Sequence, residues 1–204
     1  MLSSIELQAL RLSLQSAALG TLLGFPVALY IAWLLVKSSI PGKAILDTVI
    51  SIPLVVPPVM TGFFLLLLFS NAGPIHYVFG INVVFTWMAL ALAAAFVSLP
   101  LMVRAMEVAI LGVAPRLELA ARSLGASRIM AFITITIPLA YRGILAATML
   151  GFARGLGEFG ATIVVAGNIP GKTQTLPLAM FTNLQAGDDG AALRLVGLSL
   201  LLAL

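Results

Sequence analysis

From Leu12 to Val36 the chain reads LSLQSAALGTLLGFPVALYIAWLLV, 25 residues without a charged side chain. Crossing a hydrocarbon core about 30 Å thick takes about 20 mostly apolar residues in a helix. A helix also pairs its backbone amides within itself, which lipid demands. Glu6 and Arg11 precede the run and Lys37 follows it. It is much longer than the apolar stretch of a secretory signal, and no small-residue cleavage site follows. It reads as a retained membrane span.

Four further segments qualify or nearly qualify: 44–69, 83–103, 139–166 and 191–204. The last has 14 residues and stops without a charged flank, so the native chain is expected to continue past residue 204. Fold class is then all-α, a polytopic transmembrane helix bundle of about five spans forming a single membrane domain over residues 1–204. Composition agrees. The apolar fraction is 61%, the charged fraction 9% and the mean hydropathy +1.16, whereas soluble domains carry about 25% charged residues. Gly20 with Gly24, and Gly151 with Gly155, make GxxxG steps that let membrane helices approach closely. With no cysteine there is no disulfide framework, thiolate metal site or cysteine nucleophile. His76, in the 2–3 loop, has no ligand-spaced partners and reads as a solvated histidine, so no metal site is expected.

The net charge of +4 is spread between apolar runs rather than gathered in a patch, which argues for a topology signal and against a nucleic-acid partner. Lys37 and Lys43 lie in the 1–2 connection, and Arg104, Arg116, Arg122, Arg128 and Arg142 in or beside the 3–4 connection. The other side holds only Arg11, Lys172 and Arg194, with Asp188 and Asp189 nearby. Basic loops stay in the cytoplasm. The N-terminus is therefore expected outside, and an odd number of spans would leave the C-terminus inside.

On the inner side, Pro115–Pro138 reads PRLELAARSLGASRIMAFITITIP, within a loop over residues 113–138. Pro115 suits a first helical turn. Leu117, Ala120, Ala121 and Leu124 form one apolar stripe, while Arg116, Glu118 and Arg122 face elsewhere. Gly125 sits where a C-cap glycine would. A second short helix from Ala126, with Ser127, is expected to lead to Pro138 and the fourth span. The residues alone fit two readings, a helix–turn–helix platform offered to a cytoplasmic partner or an amphipathic loop lying on the membrane surface.

This stretch resembles the loop shared by permease subunits of bacterial ATP-binding-cassette importers, in which Glu-Ala-Ala, three residues, Gly, nine residues, Ile, one residue, Leu and Pro recur. Ala120, Ala121, Gly125, Ile135 and Pro138 match at that spacing. Ile137 stands for the Leu, Leu119 occupies the Glu position, and the acid is one residue earlier at Glu118. Similarity to the molybdate and sulfate permease group extends over Ile52–Phe63, Ser98–Val113 and Phe152–Pro177, and the combination is most similar to molybdate permeases. The GEFGAT segment within the last stretch is shared with sulfate permeases.

The resemblance implies a type I importer permease in a bacterial plasma membrane, carrying a tetrahedral oxyanion: molybdate first, with tungstate, sulfate or thiosulfate as alternatives. It implies two permease copies, two cytoplasmic ATPase subunits and an external binding protein. The loop would dock on the ATPases, whose closure swings the permease between inward- and outward-open states. This chain has no Gly-x4-Gly-Lys-Ser/Thr phosphate loop. No cofactor of its own and no catalytic residue is therefore expected, and Mg-ATP would be consumed by the partner.

Inside the spans, Arg154 and Glu158 stand out, since each costs about 2.5–3.5 kcal/mol at a helix centre. Four apart, they share a helical face. They are candidates for a gate in the translocation pathway together with Phe159, Pro57 and Pro58, or for a neutralised structural lock. The lock is favoured because Glu158 would repel the anion that Arg154 attracts. Pro53, Pro57 and Pro58 mark either a kinked pore-lining helix or a packing kink. An embedded enzyme is disfavoured by the lack of an HExxH, a Ser/His/Asp set or paired carboxylates in the spans. A purely structural membrane subunit would need neither the platform nor the ion pair.

Overall fold

The chain enters its first helix through a reciprocal cap: Ser3 Oγ accepts from Glu6 N, and Glu6 returns a carboxylate to Ser3 N at 2.6 Å. The computed structural model describes residues 3–38 and 41–203. Helix α1 (Ser4–Lys37) then runs 34 residues, with Pro26 inside it, and places Lys37 in its last turn. Helices α2 (Lys43–Val55), α3 (Pro58–Phe69) and the short α4 (Pro74–Phe79) lead to α5 (Trp87–Leu111). After α5 come α6 (Pro115–Ser123), α7 (Arg128–Ala131), a π-helical segment (Phe132–Thr136) and α8 (Ile137–Leu156). The chain closes with α9 (Gly160–Val165), α10 (Leu176–Gln185) and α11 (Asp189–Ala203). Among the described residues every regular element is helical.

Helix α5 is the axis of the bundle. Both α1 and α8 pack along it, and α3 packs on α9. Ala32, Met102, Met106, Ile110, Ile144 and Ala147 form one buried cluster, and Leu65, Leu90, Val97, Ala161 and Val165 another. Close approach depends on small residues, as expected where lipid offers no hydrophobic drive. A Cβ at Gly20 would lie 2.8 Å from Ala91 O and from Ala94 Cβ on α5. One at Gly151 would collide with Met102 Sδ.

Among the described residues, four helical stretches are long and apolar enough to cross a membrane: Ser4–Lys37, Pro58–Phe79, Trp87–Leu111 and Arg128–Leu156. These fall where four of the spans are expected, though the helix boundaries differ from the apolar runs. The expected span 44–69 is two helices, because Val56 and Pro57 are extended and Pro57 and Pro58 deny two backbone donors there. The span 83–103 becomes 87–111, since Arg104 lies within the helix, neutralised by carboxylates, rather than marking its end. The helical stretch that carries the expected span 139–166 begins at Arg128 and stops at Leu156, with Gly157–Phe159 breaking it before α9. The expected fifth span, 191–204, falls in α11, which continues to the last described residue; residue 204 lies outside the described residues.

The short helix expected to lead to Pro138 runs on through it into α8. The π-helical turn before it sends Ile137 N to Phe132 O, five residues back. This wider turn accommodates the ring that would otherwise crowd the preceding carbonyls. Helix α10, missed in the sequence, is announced by Thr175 at its N-cap and Pro177 in its first turn. His76 sits half-buried on α4 rather than in an open loop, with Nδ1 unpartnered.

Candidate functional site

Three features gather the residues of interest. The first is the loop over 113–138. Arg116, Glu118, Ala120, Ala121 and Arg122 lie on α6, a helix with no buried residue. It ends in a complete Schellman turn: Gly125 N donates to Arg122 O at 3.0 Å and Ala126 N to Ala121 O at 3.1 Å. Gly125 has φ +96°, and a Cβ there would meet nothing within 4 Å, so glycine is present for its backbone and not for space. Ser127 caps α7 by accepting from Met130 N at 3.2 Å. Ile135 is half-buried in the π-helical segment, and Pro138 occupies the first turn of α8.

The stripe predicted on α6 is left uncovered. Leu117 is 42% exposed and Leu124 90%, Ala120 is exposed and Ala121 half-buried; Leu119, outside the stripe, is 58% exposed, and Ile129 and Met130 of α7 are exposed too. Glu118 turns inward. Its Oε1 lies 3.0 Å from Lys37 Nζ and accepts from Thr136 Oγ1. Sequence reasoning missed both partners, having used Lys37 only as a topology charge.

The second feature is the meeting of two broken helices. A Cβ at Gly62 of α3 would lie 2.5 Å from Ala161 O of α9, and one at Gly160 would lie 2.9 Å from Pro58 Cβ. The breaks after Val56 and after Leu156 therefore face each other, bringing Pro57, Pro58, Glu158 and Phe159 into one region. Arg154 and Glu158 do not lie on one continuous helix as expected, since α8 ends between them. They pair nonetheless, Arg154 Nη1 to Glu158 Oε2 at 2.8 Å. Glu158 is 2% exposed, and its other oxygen accepts from Ala161 N at 2.6 Å, inside the first turn of α9. One carboxylate thus joins the end of α8 to the start of α9. Phe159 packs on Phe181 of α10, ring centroids 5.1 Å apart.

The third feature was not anticipated. Arg104 of α5 reaches Asp47 Oδ1 at 2.5 Å and Glu107 at 2.8 Å, and it also donates to Ser51 Oγ. It clips α2 to α5 and explains how a guanidinium is kept within an apolar helix.

An uncovered surface platform beneath a bundle of lipid-length helices is the arrangement of a membrane component that works with a soluble one. Comparison with known proteins decides which kind. The family model described as "Binding-protein-dependent transport system inner membrane component" matches residues 20–204. The chain belongs to this family.

It is a multi-pass membrane permease subunit of the ATP-binding-cassette importer type. The molybdenum transport system permease protein ModB of Escherichia coli (strain K12) is 49% identical over 100% of this chain and 91% of that protein. ModB of Haemophilus influenzae is 42% identical over 98% of this chain and 90% of its own length. The sulfate transport system permease protein CysT of Salmonella typhimurium is 35% identical, covering 90% of this chain and 68% of CysT. Among solved structures, an amino acid ABC transporter crystallised with histidines superposes with a TM-score of 0.60, covering 97% of this chain and 92% of that one. At 22% identity it shares the family's fold.

Proposed function

We propose that this chain carries molybdate across the bacterial inner membrane, as the permease subunit of an ATP-driven importer. It works as a homodimer with two cytoplasmic ATPase subunits, which hydrolyse Mg-ATP, and with an external oxyanion-binding protein. Its N-terminus faces outward, in keeping with the basic residues of the 1–2 and 3–4 connections. The observation that carries the substrate is the 49% identity to a molybdenum permease over the whole chain. The uncovered stripe on α6 supports a soluble partner, since Leu124 at 90% exposure on a short helix calls for a covering surface.

The loop residues Arg116 to Pro138 serve as the ATPase-coupling element in this reading. The paired breaks at Pro57–Pro58 and Gly157–Phe159 border the translocation pathway, because irregular backbone at membrane depth is tolerated where protein or a cavity satisfies it. Arg154 and Glu158 act there as a structural lock: the carboxylate is already committed to a guanidinium and a helix N-terminus. Sulfate transport is the second reading, favoured by the 35% identity to CysT. Proteoliposomes holding the chain with its ATPase and binding protein should accumulate radiolabelled molybdate when supplied with ATP. Excess tungstate should compete and excess sulfate should not. Uptake of sulfate without molybdate would decide for the second reading.

A further inference from the structure

Helix α6 packs chiefly on α7 and the π-helical segment, both parts of the same loop. Its ion pair to a membrane helix is made by Glu118. Glu118 is 18% exposed on a helix whose neighbouring Leu119 is 58% exposed, a step of one residue turning about 100° around the axis. Its Oε1 holds Lys37 Nζ at 3.0 Å and accepts from Thr136 Oγ1. Lys37 is the last residue of α1, where a cation also complements the exposed carbonyls of the helix end. Thr136 is fully buried and ends the π-helical segment that leads without interruption into α8. A single carboxylate therefore joins three things: the platform helix, the inner end of α1 and the root of α8.

We propose that Glu118 is a positioning residue that transmits displacement of α6 to α1 and α8 together, and that the Glu118–Lys37 pair sets how much transport each ATP yields. The inference rests on the permease reading above. Two properties of the node suit this role. The pair is largely shielded from solvent, so salt screens it less than a surface pair. The π-helical turn beside it already departs from α-helical bonding, and such segments are natural places for a helix to change register. A pull on α6 is thus delivered to a stiff helix end at Lys37 and to a deformable one at Thr136.

The test uses the complete importer, permease with ATPase and binding protein, in proteoliposomes, reading molybdate uptake and ATP hydrolysis from the same vesicles. Lys37→Met removes the pair without altering the exposed face of α6. ATPase co-purification should stay at the wild-type level while uptake per ATP falls about tenfold, within the range usual for coupling between sites. Glu118→Gln should lower the ratio similarly, Lys37→Arg should keep it, and the exchange Lys37→Glu with Glu118→Lys should restore much of it. If Lys37→Met does not accumulate in the membrane, the exchange decides: a restored ratio supports the relay, and an uncoupled or unfolded exchange overturns it. An unchanged ratio in Lys37→Met and Glu118→Gln also overturns it, as does loss of ATPase binding in Glu118→Gln, which would place Glu118 on the docking face. Failure of the wild-type importer to move molybdate would refute the permease reading instead, a result separable from any of these.

Discussion

Replacing Arg154 by glutamine leaves Glu158 as a carboxylate 2% exposed, with a single amide, Ala161 N, still donating to it. Breaking a buried ion pair by removing one partner costs about 3–5 kcal/mol. The Arg154 side chain is 33% exposed, so the low end applies, about 3 kcal/mol, or roughly a hundredfold in the folding equilibrium. The reverse change is milder. Glu158→Gln leaves a guanidinium that is one-third exposed rather than fully buried, and the glutamine oxygen can still accept from Ala161 N. The loss is then close to one charged hydrogen bond, about 1.5–3 kcal/mol. The double mutant carries no unpaired charge and should recover part of the deficit. Yield of monodisperse protein and thermal unfolding in detergent, measured on all four proteins, should rank wild type first, then the double mutant and Glu158→Gln, with Arg154→Gln last. A gate predicts a different pattern, full stability throughout with uptake abolished in Arg154→Gln. Wild-type stability of Arg154→Gln would refute the structural lock.

Gly62→Ala would put a methyl 2.5 Å from the Ala161 carbonyl oxygen, and backbone cannot step aside as a side chain can. Overpacking of about 1–3 kcal/mol should lower its thermal midpoint, whereas Gly197→Ala, with nothing within 4 Å, should equal or exceed wild type. Gly125→Leu meets no neighbour but must hold φ near +96°, at about 1–2 kcal/mol. The protein should reach the membrane with ATP hydrolysis uncoupled from uptake, and Gly125→Asn should be closer to normal; normal uptake by Gly125→Leu would contradict the role given to this turn. Cysteines placed singly at Ser3 and Ser127 should react with an impermeant maleimide from opposite sides of sealed cells, and labelling of both from outside would reverse the topology.

Much of the scaffold is legible in the amino-acid order alone, for a local reason. Lipid is a solvent that asks one question of each run, whether it is apolar and long enough, and Leu12–Val36 answers it unaided. The end of α6 is legible in the same way, since a glycine after an apolar stripe needs only its own backbone freedom to close a helix, and Gly125 does so at φ +96°.

Where the long runs break is only partly legible: Pro57 and Pro58 mark a kink, but do not say that the helix ends there. Residues 44–69 and 139–166 are apolar almost throughout, and hydropathy cannot see that the backbone opens fully at Pro57 and again at Gly157. Those breaks persist because α3 and α9 pack tightly enough at Gly62 and Ala161 to stabilise the two short helices. The fate of each charge also belongs to the tertiary structure. Arg104 reads as a span boundary until Asp47 arrives from α2 to neutralise it, and Glu118 reads as part of a docking face until Lys37 and Thr136 turn it inward. Sequence thus determined which segments lipid would accept, because that depends on each residue's own transfer from water. Only the folded chain decided where charges and broken helix ends would sit, because their cost depends on partners that lie far away along the chain.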